Sequence, residues 1–328
     1  MVAAVETMAY AGELPWHGLG VKVDPNLTPE EMLKAAELDW TVSAREVRVK
    51  ADDGKYRLNN NLRALVRDSD QQVLGPCGPR FVPTQNAEVF DFFKRFVDAG
   101  DMEMHTAGSL LGGKKVWALA SLRKGFSLPG GDDVHGFMLL ASPHIWGESL
   151  TGKFTSVRVV CNNTLQMALQ GGAGFRMPHV RAFDADVQLE AEEALGLASS
   201  ALEEFEEAAT LLSNTKCTTK QQEEFIARVF QPQLLVNAPT NDNGDVLPLV
   251  EGFKRTSKKI NELILTQPGA DLKSSKGTFW GLTNAVTFFA DHEAGRDRDS
   301  ALDSAWFGTH ANIKAKAMET ALDMANAA

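Results

Sequence analysis

The spacing of apolar residues changes along this chain, and that change limits its possible folds more than any other feature. In the first half, several short runs alternate apolar and polar residues, which is typical of β-strands with one buried face. From residue 186 to 212, apolar residues recur at alternating intervals of four and three, which is typical of a long helix. We therefore predict an α+β fold with a β-rich first half and a helical second half.

Local signals place the elements of the first half. Thr28 is a helix N-cap, with Pro29 next to it and Glu31 completing a capping box. Three strand-like runs and an amphipathic helix follow, at residues 40–50, 56–67, 72–83 and 85–99. A short helix is expected from Asn162 or Asn163 to residue 169, after further strands at 102–111, 114–122, 134–142 and 151–160. This order predicts an antiparallel sheet with a β-β-β-α start and a helix packed on one face.

The second half is predicted to be helical. The expected helices span residues 186–212, 219–230, 249–265, 278–293 and 309–326. The division gives a β-rich α+β domain at 1–183 and a helical region at 184–328 that packs on the first domain or extends from it. The apolar seam of the first of these helices packs on its own domain or mediates self-association into a homo-oligomer. The seam consists of Ala191, Leu195, Ala198, Leu202, Phe205, Ala209 and Leu212.

Composition indicates a globular protein of the reducing cytoplasm. Of the 328 residues, 44% are apolar and 23% are charged. We expect no membrane contact, because no apolar run approaches the ~20 residues of a membrane helix and the N-terminus lacks the features of a signal peptide. The three cysteines are widely spaced and are expected to be free thiols. They are Cys77, Cys161 and Cys217.

The net charge of −10 is unevenly distributed. Between Arg181 and Lys216 there is neither Lys nor Arg, and the acidic residues there are Asp184, Asp186, Glu190, Glu192, Glu193, Glu203, Glu204, Glu206 and Glu207. The strand-rich part that precedes this stretch carries a slight excess of basic residues. A whole-chain charge therefore conceals a possible basic surface.

The strand at 56–67 is the best candidate for such a surface. Its even positions are nearly all apolar and should be buried: Tyr56, Leu58, Asn60, Leu62, Ala64 and Val66. Its odd positions should face solvent and contribute Arg57, Asn59, Asn61, Arg63 and Arg67, with Arg45, Arg48 and Lys50 on the preceding strand. Guanidinium groups suit phosphate geometry, and amides can bond bases or backbone. Alternatively, this is an ordinary solvated face whose arginines pair with Glu46, Asp52 or Asp68.

Other basic residues complete the predicted nucleic-acid interface. The helix at 249–265 carries Lys254, Arg255, Lys258 and Lys259, and the strands add Lys114, Lys115, Lys153 and Arg158. The helix residues either contact a nucleic-acid backbone or form a solvated face on which Glu251 pairs with Arg255.

No catalytic motif is recognisable, and we expect neither a metal nor a cofactor. Residues 108–115 come close to a P-loop, but Lys115 stands where a Ser or Thr should hold Mg²⁺, and a strand-like run follows instead of a helix. Gly112 and Gly113 are better explained as a hairpin turn. If the chain is an enzyme of an unrecognised kind, its site would contain His17, His144 or the group Asp291, His292 and Glu293.

Three ordered motifs resemble the phage/plasmid-like protein family, a domain of unknown function found on mobile elements. They are residues 15–20 (PWHGLG), residues 158–165 (RVVCNNTL), and residues 278–308, which begin TFWG, continue through Asp291-His292 and end SAWFG. The resemblance covers nearly the whole chain. It implies a phage, plasmid or laterally transferred origin in a bacterial host, and it supplies no catalytic residues.

The β-β-β-α order at 40–99 is also similar to the core of phage single-strand annealing recombinases, which act as assemblies without metal or ATP. This similarity is one of topology alone. The first hypothesis is therefore single-stranded DNA binding or annealing without catalysis. The alternatives are an unrecognised enzyme of a mobile element and a protein that binds a host factor through its acidic helix.

Overall fold

The computed structural model describes residues 5–12, 20–158, 163–165, 174–196, 198–230, 249–294, 304–306 and 308–328. The predicted α+β class and the helical C-terminal region are confirmed. The strands are β1 (Val5–Ala11), β2 (Val21–Val23), β3 (Val42–Lys50), β4 (Tyr56–Arg67), β5 (Val73–Cys77), β6 (Met102–Leu110), β7 (Lys115–Leu128), β8 (Asp132–Pro143), β9 (Ser149–Arg158), β10 (Asn163–Leu165) and β11 (Gly174–Pro178). The helices are α1 (Pro29–Ala35), α2 (Asn86–Asp98), α3 (Ala185–Gly196), α4 (Ala198–Asn214), α5 (Thr219–Phe230), α6 (Leu249–Thr266), α7 (Phe279–Phe288) with a π-helical turn (Phe289–Glu293), and α8 (Thr309–Asn326).

Two separate sheets replace the single antiparallel sheet that the sequence predicts. The larger has eight strands in the order β10-β9-β8-β7-β6-β1-β2, with β11 paired to β9. It is a mixed sheet, because β1 pairs with β2 in parallel and with β6 in antiparallel. The smaller sheet is the antiparallel meander β3-β4-β5. The expected β-β-β-α start is therefore not confirmed: β1, β2 and α1 come first, and the three following strands form a sheet of their own.

Chain contacts divide the protein into two compact units. The first comprises residues 1–123, 137–154 and 173–198, and the second comprises 124–136, 155–172 and 199–328. The core of the first unit gathers apolar side chains from α1, α2, the small sheet and β6, including Met32, Leu65, Phe90, Phe93 and Met104. The capping box predicted at the start of α1 is present, because Thr28 and Glu31 exchange hydrogen bonds through their side chains and backbone.

The second unit is built mainly from helices. Its core includes Phe205 of α4, whose ring contacts those of Phe126 and Trp280. The carboxylate of Asp132 is buried and accepts hydrogen bonds from Ser274 Oγ (2.6 Å) and Trp280 Nε1 (3.0 Å). These contacts anchor the beginning of α7 within the unit.

The predicted helix at 186–212 is described as two helices, α3 and α4. The side chains of its apolar seam that the structure describes are buried within the protein: Ala191, Leu202, Phe205, Ala209 and Leu212. Ala191 belongs to the first unit and the other four belong to the second. These five buried side chains pack inside the protein and are not available for self-association. The homo-oligomer stays a prediction.

The remaining predictions meet mixed outcomes. The hairpin turn at Gly112 and Gly113 is confirmed, because β6 and β7 pair on either side of it. The short helix expected from residue 162 or 163 is wrong at residues 163–165, which form β10, and its other residues lie outside the described ones. Residues 232–248, whose Pro, Asn and Asp content predicts a loop, also lie outside them. Among the helices that the structure describes, none combines the length and apolar character needed to cross a membrane.

Candidate nucleic-acid interface

A two-stranded hairpin extends from the small sheet, and we call residues 47–58 the arm. Its strands pair Arg48 with Leu58 and Lys50 with Tyr56. At the end of the hairpin, Gly54 donates its backbone N–H to a carbonyl three residues earlier, at 2.9 Å. Gly54 has a positive φ of 78°, which glycine adopts without steric cost and which closes the turn.

An irregularity in the pairing separates the arm from the rest of the small sheet. Glu46 pairs with Arg63, whereas Arg48 pairs with Leu58. One residue of β3 therefore lies opposite the four residues 59–62 of β4, and we call these four residues the bulge. Because the bulge resets the register, alternation along β4 does not continue from one end of the strand to the other.

The arm exposes apolar side chains on both of its faces. Tyr56 is 67% exposed, Val49 56% and Leu58 46%. The prediction that the even positions of β4 are buried is therefore wrong for its first half, where Asn60 is also exposed. The physical reason is that none of the described residues forms a layer over the arm, whereas Leu65 belongs to the core shared with β5 and the helices. Val66, beside it, is also buried.

The side chains of the arm are sorted between its two faces. Residues directly opposite one another in an antiparallel pair share a face. One face, which we call the tyrosine face, carries Arg48, Lys50, Tyr56 and Leu58. The other carries Val49 with its partner Arg57. An aromatic ring and an aliphatic side chain thus lie beside two cations on the same exposed surface.

The cations of the arm form only weak, exposed ion pairs with the described residues, or none. Arg57 Nη2 donates to Asp53 at 2.9 Å, and Arg48 Nη2 lies 3.4 Å from a carboxylate oxygen of Glu46. Lys50 forms no ion pair within the described part of the chain. Exposed pairs of this kind contribute only ~0–1 kcal/mol, so a polyanion can replace their carboxylates at little cost.

Arg67 differs from the arm arginines although it lies on the same strand. Its guanidinium donates to Glu6 (2.8 and 2.9 Å) and Asp70 (2.6 and 3.0 Å) and lies 5.2 Å from the centre of the Trp40 ring. The hydrogen bond from Arg67 lowers the pKa of Asp70 to about 2. Arg67 is only 8% exposed. Arg67 therefore stabilises the fold, and we no longer assign it to the predicted binding surface.

Other predicted residues of the small sheet are divided between exposed and paired positions. Arg45 donates to Asp68 (2.6 Å) and Gln71 (2.5 Å). This pairing agrees with the alternative hypothesis, in which the arginines of a solvated face pair with nearby carboxylates. Hydrogen bonds from Ser43, Thr41 and Arg45, in that order of effect, lower the pKa of Asp68. Arg63 is exposed beside the bulge, where Asn59 accepts a hydrogen bond from the backbone N–H of Asn61 at 2.9 Å.

The basic residues of the large sheet are poorly placed for binding. Lys115 is buried and lies 3.1 Å from a carboxylate oxygen of Glu148. Because it belongs to β7, no helix follows the P-loop-like residues. Lys114 and Lys153 are half-buried. Arg158 ends β9, and its side chain lies outside the described residues.

Helix α6 of the second unit presents a separate basic surface. Lys254, Arg255 and Lys258 are exposed. Lys259 instead pairs with Glu293 at 3.2 Å and lies 3.9 Å from Glu262. Three of the four predicted residues of this helix are therefore accessible to a ligand.

Two of the residues suggested for an unrecognised enzyme, His144 and Asp291, are buried, whereas His292 is half-buried and Glu293 is exposed. Asp291 and Lys314 form an ion pair of 2.6 Å, with their side chains 1% and 0% exposed, and burial lowers the pKa of Lys314. His144 is buried against Asn86, 3.2 Å away, and burial lowers its pKa to about 3. His17 lies outside the described residues. Within the described ranges, no group of three His, Cys, Asp or Glu side chains is arranged to hold a metal ion.

Sequence reasoning missed the exposed apolar residues of the arm. It assigned Tyr56 and Leu58 to a buried face and gave no role to Val49. A signal was present in Asn59, Asn60 and Asn61, because three consecutive asparagines are unfavourable in a regular strand and favour a turn or bulge.

Comparison with known proteins identifies a family. The model of the family described as a domain of unknown function (DUF932) matches residues 73–307, which is more than half of the chain. The arm precedes the matched residues. No curated protein matches the chain, and no solved structure matches it.

Proposed function

We propose that this chain, which belongs to the domain of unknown function family DUF932, binds single-stranded nucleic acid on its arm without catalysing a reaction. We propose that this binding serves annealing or recombination on a phage or plasmid. The proposed process rests on the three motifs that resemble phage/plasmid-like proteins, whereas the proposed binding rests on the geometry of the arm.

The observation that carries the proposal is an aromatic and two aliphatic side chains exposed beside cations on a ribbon that none of the described residues covers. Tyr56, Leu58 and Val49 are each about half exposed or more. Burying apolar surface is favourable by about 25 cal/mol for each Å² removed from water. A binding partner that covers the arm recovers this free energy, and the adjacent cations select a partner with negative charge.

Single-stranded nucleic acid satisfies both requirements. Its phosphates attract Arg48, Lys50, Lys55 and Arg57, and displacing their counterions favours binding. Its bases are apolar on their faces and stack on aromatic side chains with ~1–3 kcal/mol per base. A duplex hides those faces within its own stack, so a two-stranded ribbon could only enter its groove and would leave the tyrosine ring without a stacking partner.

The salt dependence of binding tests the proposal. The arm variant Lys50→Ala/Lys55→Ala/Arg57→Ala removes three exposed cations. Since each phosphate contact contributes ~0.7 to the slope of log K against log salt for a single strand, the slope should fall by ~2. Affinity for a single-stranded oligonucleotide is measured at four or more salt concentrations, with a melting curve for each variant.

A matched control removes the same charge elsewhere on the first unit. Lys22, Lys34 and Lys94 are exposed on β2, α1 and α2, and their triple alanine variant should keep the parental slope. Equal slopes in the arm variant and the parent protein, or equal losses in both variants, would remove the arm from the proposed function. In that case the basic surface of α6 is the next to test.

A further inference from the structure

We infer that Tyr56 and Leu58 form a slot for one unpaired base, so that the arm distinguishes strands with accessible bases from a bare sugar–phosphate chain. This inference rests on the proposed function and deepens it. It concerns the part of the ligand that the tyrosine face recognises, whereas the cations of the arm recognise phosphate whatever the base.

The spacing of the two side chains suits a base. Residues two apart on a strand point to the same face and are separated by ~6.8 Å, twice the rise of ~3.4 Å per residue. Stacked bases are spaced by ~3.4 Å. A planar base inserted between Tyr56 and Leu58 therefore contacts the ring on one side and the aliphatic side chain on the other, near the optimal distance for both.

The cations on the same face are placed to hold the phosphates that flank this base. Lys50 lies directly opposite Tyr56, and Arg48 lies directly opposite Leu58. Directly opposed side chains begin ~5 Å apart at their Cβ atoms. Long Lys and Arg side chains can then reach around the slot while their aliphatic parts extend the apolar surface.

The arm carries two carboxylates, Asp52 and Asp53, both in its turn, against the four cations Arg48, Lys50, Lys55 and Arg57. Asp53, in the turn, is held by Arg57, which lies on the face opposite to Tyr56. Glu46 is the acidic group nearest to Arg48, at a distance of 3.4 Å, and both side chains are exposed. The charge of the tyrosine face therefore favours an anionic ligand with flat apolar parts.

The environment of Tyr56 contrasts with that of the other tyrosine of the chain. Tyr10 is buried in the first unit at 7% exposed. Tyr56 is 67% exposed, and its hydroxyl forms no hydrogen bond to any residue that the structure describes. Because substitutions of exposed side chains usually cost little, removal of the Tyr56 ring should leave the unit folded, within ~0.5 kcal/mol.

The experiment compares two oligonucleotides of equal length and charge, one with normal bases and one built from abasic residues. At fixed moderate salt, the parent protein should bind the normal strand at least tenfold more tightly, which corresponds to ~1.4 kcal/mol. Tyr56→Ala should lower affinity for the normal strand by about tenfold and leave affinity for the abasic strand and the salt slope unchanged. Tyr56→Phe should bind both strands like the parent protein.

Trp146→Ala is the matched control, because Trp146 is an aromatic residue of the first unit that is 57% exposed outside the arm. It should not change the preference for bases. Equal affinity of the parent protein for both strands, with a normal salt slope, would overturn the base slot and leave the proposed function standing. Loss of affinity for both strands in Tyr56→Ala would also overturn the slot. Failure of the parent protein to bind either strand would overturn the slot and the function together.

Discussion

At one end of β4, Arg57 lies on an exposed ribbon and pairs with one exposed carboxylate, whereas at the other end Arg67 is buried under four hydrogen bonds to two carboxylates and the ring of Trp40. Leu58 and Leu65 differ in the same way, since the first is exposed and the second is fully buried. The strand has one sequence pattern and two environments. Its arm end is available to a ligand, and its buried end, around Trp40, belongs to the core.

The difference shows what decides the role of a charged side chain on a sheet. Residue type and spacing are alike at both ends of β4, but among the described residues a third strand and helices pack against the buried end and not against the arm. A guanidinium in that setting must find permanent partners, because unpaired charge is costly to bury. On the arm, the same group stays solvated and can exchange its partner for a phosphate.

The largest expected effect is a loss of folding stability in acid, from histidines near the buried end of β4. The Trp40 ring lies 5.6 Å from that of His144, whose pKa burial lowers to about 3; burial also lowers the pKa of His179 to about 4. In the unfolded chain both histidines titrate near 6.5. Their contribution to stability is therefore present above pH 6.5 and is lost as the pH falls toward the folded values, at pH 5 by about 2 kcal/mol for each histidine.

Chemical denaturation at pH 7 and pH 5 measures this loss. His144→Gln does not titrate and should lose about half as much stability between the two pH values. His135→Gln, which changes an exposed histidine, should lose as much as the parent protein. If His144→Gln were as sensitive to acid as the parent protein, protonation of His144 would not be the cause.

A smaller effect separates the two arginines. Arg67→Ala leaves Glu6 and Asp70 without their cation and should lower the free energy of unfolding by about 2–3 kcal/mol. This is less than the ~3–5 kcal/mol expected for a fully buried pair, because both carboxylates keep some contact with water. Arg57→Ala should change stability by less than ~0.5 kcal/mol. Urea denaturation of the two variants measures both values, and equal losses would erase the contrast between the ends of β4.

The sequence predicted what local signals determine. The capping box at Thr28 and the amphipathic pattern of α2 each depend on residues within one or two turns, and both elements are present. The positions of Arg67 and Tyr56 could not be predicted in this way. Arg67 is buried because Glu6, 61 residues away, lies beside it. Tyr56 is exposed because no distant part of the described chain packs on the arm.

The same limit applies to the candidate interface. Alternation alone assigned Arg57, Arg63 and Arg67 to one face, but the bulge at residues 59–62 resets the register between the first and the other two. A bulge depends on which residue of β3 pairs with which residue of β4, and that choice is set by the assembled sheet. Exposure of the arm therefore had to come from the structure, while its basic character was visible in the sequence.

Hydrogen exchange with and without a single-stranded oligonucleotide tests the central claim most directly, because it reports on both ends of β4 in one experiment. The amides of residues 47–58 belong to an uncovered ribbon and should exchange quickly in the free protein and more slowly in the complex. The amides of residues 63–67, which are covered by β5, should be protected in both states. Slower exchange limited to the arm is the predicted result. Binding that slows exchange on α6 or elsewhere while residues 47–58 remain unchanged would contradict the account.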